Sequence, residues 1–286
     1  MSSIVFNNFI SYTPNHLYSN PYWINQNSYS EIHSVSQQCQ SDDSFDEKTV
    51  GMAALLQSIA MGLQKGSQWL ARKLEAGKEF TSAENVKAIA RKMVVDNNLS
   101  DVTVDYINEV NKHNYTGPLA SEIDIVARGK NAFYADQFKL AVAPASKPSL
   151  ILHELGHASN SKNMFLKLLQ KSRRYAVSAP MILLVASKLF GDNKDGKPNF
   201  IERNAGILGF IAFLPTIIEE GMASLKGIVA AKKLSKKFTN EVFNLGILKR
   251  NYLLALGTYV LAGIGLGVAS KQTILENSNT NNVLTK

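Results

Sequence analysis

Residues 252–270 read YLLALGTYVLAGIGLGVAS, nineteen positions without a charge, and no other feature narrows the folds open to this chain as much. A helix needs about 20 consecutive apolar residues to cross the roughly 30 Å hydrocarbon core of a bilayer, and this stretch meets that length by itself. Two shorter apolar stretches precede it, YAVSAPMILLVASKLF (175–190) and AGILGFIAFLPTII (205–218). Together they predict a spanning or re-entrant hairpin, with a buried helical pair of a soluble domain as the alternative. Gly263 and Gly267 stand four apart in the third stretch, a spacing that permits close contact with another helix.

The placement of charge bears on the same point. The chain of 286 residues carries a formal net charge of +8, which suits an anionic partner, either nucleic acid or a lipid surface. Lys162, Lys167, Lys171, Arg173 and Arg174 precede the first apolar stretch. Lys226, Lys232, Lys233, Lys236, Lys237, Lys249 and Arg250 separate the second from the third. The loop between the first and second balances Asp192, Asp195 and Glu202 against Lys194, Lys197 and Arg203. By the positive-inside rule the two basic flanks belong on the cytoplasmic side and the neutral loop on the other. A lipid bilayer is therefore the expected partner and nucleic acid is not, because a nucleic-acid patch would leave this alternation unexplained.

Polar segments frame the rest. Residues 1–48 are dominated by Asn, Ser, Gln and Tyr and predict a disordered leader, since few aliphatics are present to offset the entropy of ordering. MSSIVFNNFISYTPNHLYSNP has no basic n-region and no sustained apolar run, so a cleaved signal peptide is not expected. Cys39 is the single cysteine and cannot form an internal disulfide. Residues 49–80 predict an amphipathic helix against a core or a membrane surface, interrupted by Gln57, Gln64 and Lys65. The next helix begins with a capping box, Thr81 and Glu84, places Val86, Ile89, Ala90, Met93 and Val94 on one face, and ends near Asn97 and Asn98. DVTVDYI (101–107), EIDIVARG (122–129) and FKLAVAP (138–144) predict short strands. Ser146 and Pro148 then mark the start of a helix expected to run on into KNMFLKLLQKSRR.

That helix carries LILHELGHA. Positions i and i+4 share a helical face, so His153 and His157 can present two imidazoles to one Zn²⁺. Glu154 points to the edge of that face, where it can take a proton from a water that the metal activates and pass it to a leaving amine. Average residue usage produces HExxH by chance in roughly one chain of this length in a hundred, so context has to support it. A third ligand is needed, and IIEEGMASLKG supplies the best candidate, because a Glu followed by Gly, an apolar residue and Ala is a form that third ligands take in many zincins. The pattern selects Glu220, with Glu219 as its fallback. An acidic pair at the first turn of a helix is the structural alternative.

The third-ligand candidate lies 63 residues beyond His157 (220 − 157), across the two shorter apolar stretches. In this the chain resembles the HtpX and CAAX-prenyl-protease family of membrane gluzincins, in which HExxH is followed by two membrane helices and then the glutamate ligand. KNAFYADQFKLAVAP upstream is similar to that family's Asn-Ala-Phe segment and the edge strand leading into its metal helix. The likeness covers roughly residues 81–230. It implies that Asn131, Ala132 and Phe133 lie near the substrate groove, and that FKLAVAP, through Leu140 and Val142, pairs with an extended substrate by β-augmentation. The family's glutamate motif usually carries Asp where this chain has Ser224, and no pair of spans precedes the catalytic segment.

The fold expected is thus α+β and mainly helical: a zincin-like metallopeptidase core with a small sheet and two or three membrane-associated helices. The catalytic segment covers 81–174, a hydrophobic hairpin 175–218, the third-ligand helix and basic segment 219–250, a transmembrane helix 251–270 and a polar tail 271–286. The activity expected is a membrane zinc endopeptidase facing the cytoplasm, acting on peptides or proteins, membrane proteins among them. A non-catalytic membrane scaffold with a structural metal site is the alternative, and a soluble protease with a buried helical domain a third reading. GDNKDGKPNFIE places Asn193, Asp195, Gly196 and Glu202 at positions of a calcium loop, but Gly191 stands where the first ligand belongs. A polar turn is expected there, and His16, His33 and His113 read as surface residues.

Overall fold

A computed structural model of the chain describes residues 47–190, 198–238 and 242–284. The leader lies outside these apart from its last two residues, as do Cys39, His16 and His33 and the loop positions Gly191, Asn193, Asp195 and Gly196. The fold is mainly helical with one three-stranded sheet.

The first helix, α1 (Glu47–Glu75), lies along the last, α8 (Leu245–Leu284). There a Cβ at Gly66 would stand 3.3 Å from Leu261, and one at Gly257 3.2 Å from Leu70. In α2 (Ala83–Asp96) the cap is Ser82, whose Oγ accepts from Asn85 N at 3.4 Å, and not Thr81. Thr81 Oγ1 accepts from the Asn85 side chain at 2.9 Å instead, and Glu84 pairs with Lys87 at 3.2 Å. The helix closes at Asn97, and Asn98 takes the left-handed conformation with φ 53°.

Two of the three expected strands form. β1 (Thr103–Ile107) and β3 (Leu140–Pro144) pair in parallel, and β2 (Phe133–Ala135) adds antiparallel to the other side of β3. The third expected strand is instead helix α3 (Ala120–Ala127). Its Glu-Ile-Asp-Ile run alternates like a strand, but Ile123 and Val126, three residues apart, are the two fully buried positions, and that is a helical period.

FKLAVAP is therefore not an edge strand. The order β1-β3-β2 makes β3 central: Val142 faces Asp105 on one side and Phe133 on the other, and Leu140 faces Thr103 and Ala135. Both sets of backbone groups are taken, so β3 cannot accept an extended substrate at Leu140 and Val142.

Helix α4 (Ile151–Ser161) carries HELGH, and the chain breaks before α5 (Met164–Ala176) instead of running on. Asn163 causes the break, its side chain accepting from Leu166 N at 3.1 Å as a new cap. Ile151, Leu152, Leu155 and Ala158 put the apolar face of α4 into the main core, against Val86, Ile89 and Met93 of α2 and Ala141 and Ala143 of β3.

The expected hairpin is also redrawn. The first apolar stretch is split at Val177 and Ser178, and α6 (Ala179–Phe190) has only 12 residues, about 18 Å at 1.5 Å per residue, too short to cross a bilayer alone. The second stretch does not end before the glutamates. It continues through them as one 35-residue helix, α7 (Phe200–Leu234), started by a capping box between Asn199 and Glu202 and holding Pro215 inside. The Glu202 carboxylate is used in that cap, accepting from Asn199 N at 3.0 Å. Among the described residues two helices are long and apolar enough to cross a membrane, Phe200–Lys237 and Leu245–Leu275. Ile207, Ile211, Ile218 and Leu225 of the first and Leu253 and Ile264 of the second are exposed, giving each an outward apolar face. They run antiparallel in close contact: a Cβ on Gly267 would stand 2.5 Å from Gly206 O, and Lys271 Nζ donates to Glu202 O at 2.8 Å.

Candidate metal centre

The site forms where α4 crosses α7, and two glycines set the crossing. A Cβ on Gly156 would stand 2.3 Å from the carbonyl oxygen of Ala223, and one on Gly227 3.1 Å from that of Leu152. Glycine costs a helix interior about 1 kcal/mol relative to alanine, and here that cost allows the two backbones to touch. The contact brings the segment beginning at Glu219 under the histidines of α4. Gly156→Ala forces the helices apart and is expected to lower the melting temperature although every polar side chain is unchanged. A Gly156→Ala protein that melts like the wild type would show that the close approach is dispensable.

Three atoms converge in the crossing. His157 Nε2 lies 3.0 Å from His153 Nε2, His153 Nε2 lies 3.1 Å from Glu220 Oε2, and His157 Nε2 lies 3.6 Å from the same oxygen. A tetrahedral Zn²⁺ with bonds of 2.0–2.1 Å separates its ligands by about 3.3 Å, so the triangle has the size that ion requires. The residues fit the group. Glu220 is 1% exposed and His157 8%, and buried charge of this kind needs compensation.

Glu219 has a different task. Its Oε1 accepts from His157 Nδ1 at 2.7 Å, which orients the ring so that Nε2 faces His153 and Glu220. The Ser224 hydroxyl lies 3.1 Å from His153 Nδ1. It stands where the likeness led one to expect Asp, and it reaches the second histidine. Asn160 Nδ2 and Gln170 Nε2 donate to Glu219 Oε1 at 2.9 and 2.8 Å. Arg173 spans both carboxylates, with Nη1 3.4 Å from Glu219 Oε2 and Nη2 2.5 Å from Glu220 Oε1. The second contact is an ion pair without hydrogen-bond alignment, and Glu220 Oε1 has no hydrogen-bond partner among the described residues.

Glu154 is buried beside the histidines, with 6% exposure, and a ligand atom of each of His153, Glu154 and His157 lies within 4.8 Å of the others. Burial raises its carboxyl above the ordinary range, although His153 and His157 draw it down. Burial alone would lower the His157 imidazole, but Glu219 and Glu220 outweigh it and hold His157 well above its ordinary value. Tyr252 of α8 closes one side, its ring 5.6 Å from that of His153 and its hydroxyl donating to Ser149 O at 3.1 Å.

The structure therefore brings His153, Glu154, His157 and Glu220 together. It does not open the expected groove residues to a substrate. Asn131, Ala132 and Phe133 are 1%, 7% and 3% exposed, and Leu140 and Val142 are 6% and 0%. Asn131 is buried with neither side-chain polar atom hydrogen-bonded among the described residues. Sequence reasoning missed Asn160, Gln170, Arg173 and Tyr252, counted Arg173 with the basic flank, and took Ser224 only as a departure from the likeness. A signal was present: Gln170 and Arg173 share a helical face with Leu166 and Leu169, two apolar residues of α5 that become buried.

No family model, curated protein or solved structure matches the chain.

Proposed function

We propose that this chain is a membrane-associated zinc endopeptidase with a zincin-like core, of the kind its resemblance to the HtpX and CAAX-prenyl-protease family implies. The observation that carries the reading is the buried triangle of His153 Nε2, His157 Nε2 and Glu220 Oε2, with sides of 3.0, 3.1 and 3.6 Å, and Glu154 beside it. When bound, Zn²⁺ supplies Lewis acidity and brings the pKa of a water towards neutrality. Everything else falls to the chain. His153, His157 and Glu220 hold the ion, and Glu219 and Ser224 orient the two imidazoles through their Nδ1 atoms. The Glu154 carboxylate accepts a proton from the attacking water and returns it to the amine that leaves as the peptide C–N bond breaks. Arg173 offsets the charge of two adjacent buried carboxylates, which would otherwise repel each other.

Purified in detergent, the full chain is expected to carry close to one zinc per molecule. It should cleave unfolded protein substrates, lose that activity to a chelator and recover it with added zinc. Absence of bound zinc would remove the metal reading, and stoichiometric zinc without cleavage would leave the scaffold. The membrane part of the proposal rests on the outward apolar faces of α7 and α8. With the basic flanks cytoplasmic, a cysteine label at Lys236 reacts from that side and one at Lys194 from the other. Reaction of both from the same side would exclude the arrangement.

A further inference from the structure

Helix α5 has two faces of opposite use. Leu166, Leu169, Gln170 and Arg173 turn inward, the last two onto the glutamate pair. Outward stand Met164, Phe165, Leu168 and Tyr175, between 63% and 91% exposed, interleaved with exposed Lys171 and Arg174 and half-buried Lys167. Water does not favour four large apolar side chains side by side on one helix. Hydrocarbon does not tolerate three cations. The boundary between them accommodates both, the apolar groups dipping below the headgroups and the long basic chains reaching back to anionic phosphates.

The position of α5 agrees with that boundary. α8 carries no charge between Arg250 and Lys271, and between Arg203 and Lys226 the only charges of α7 are the inward Glu219 and Glu220. The two belts share a far end, where Lys271 meets Glu202, and a near end, where a Cβ on Gly227 would stand 3.1 Å from the Tyr252 ring. Arg173 fastens α5 to Glu220, six residues before Lys226, or about 9 Å along the helix. That lies within two helical turns of the near end of the belt. Past the break at Val177 and Ser178 the exposed apolar residues of α6 are Met181, Ile182, Val185, Leu189 and Phe190, with no cation before Lys188.

Building on the membrane reading above, we propose that α5 lies in the headgroup layer of an anionic bilayer, with Lys167, Lys171 and Arg174 binding acidic lipid headgroups and Met164, Phe165, Leu168 and Tyr175 inserted beneath them. The same helix thereby links the lipid surface to the residues that hold Glu219 and Glu220 in place.

The test uses the full chain with Cys39, its only cysteine, changed to Ser. An environment-sensitive fluorophore is placed at Leu168→Cys or, as a reference on the outward face of α7, at Ile211→Cys. Each protein is reconstituted into vesicles of phosphatidylcholine with or without phosphatidylglycerol. The Leu168 label is expected to shift to the blue and to be quenched by a spin label near the head of the acyl chain, more strongly with phosphatidylglycerol present. The triple change K167E/K171E/R174E should remove that increase. Quenching at Ile211 without quenching at Leu168 overturns the proposal and leaves the membrane reading standing, whereas no quenching at either position overturns both. Equal quenching with and without phosphatidylglycerol overturns the role of the cations. Disulfide-linked dimers of unlabelled Leu168→Cys, with no quenching of the labelled protein, would assign the face to a second copy of the chain.

Discussion

Glu154→Gln is expected to leave zinc at one per chain and the fold unchanged while peptide cleavage falls by roughly 10²- to 10⁴-fold, the contribution of a positioned general base. Gln keeps the size of the side chain and much of its hydrogen bonding but has no basic oxygen at neutral pH. The site makes the loss hard to compensate. Glu154 is 6% exposed, so bulk water is poorly placed to take over, and Glu219 and Glu220 are held by the histidines and Arg173. Zinc content, a melting curve and initial rates on one protein substrate measure all three quantities. Equal rates for wild type and Glu154→Gln would end the protease reading, and a parallel loss of zinc would make Glu154 a ligand instead.

The two adjacent glutamates are expected to differ sharply in what they do for the metal. Glu220→Ala removes a donor from the triangle and should abolish stoichiometric zinc, as should His153→Ala or His157→Ala. Glu219→Gln should keep zinc but weaken it by about 10- to 100-fold, the effect typical of removing an orienting partner from a ligating histidine. Gln is the better change than Ala at position 219, because deletion would leave Asn160, Gln170 and Arg173 directed at empty space, and a broken buried ion pair costs about 3–5 kcal/mol. Zinc titration against a competing chelator separates these outcomes. Stronger zinc loss from Glu219→Gln than from Glu220→Ala would exchange their roles.

Much of the local structure was legible in order along the chain. The 3.6-residue period placed His153 and His157 on one face. Composition marked the apolar belts of α7 and α8. Short segments were harder. Ile123 and Val126 fit a helix where Ile123 and Ile125 fit a strand, and nothing in eight residues chooses between them. Asn163 looked like one polar residue in a basic run, yet its side chain caps a helix and ends the one before it.

Sequence spacing by itself determined the two imidazoles and the neighbouring carboxylate, because a single helix fixes the relative directions of residues four apart or fewer. It also determined which stretches seek an apolar environment, a property of composition. It could not determine which face of α7 meets α4, since the 63 residues between His157 and Glu220 leave the rotation of one helix against the other free. Packing decided that: Gly156 against Ala223 and Gly227 against Leu152 lock the rotation, so that Glu220 reaches both Nε2 atoms, Glu219 and Ser224 reach the Nδ1 atoms, and Arg173 turns inward from a helix whose other cations turn out. Sheet order, too, is a tertiary outcome, and by adding β2 to the free side of β3 it closed the strand that the chain alone had suggested was open.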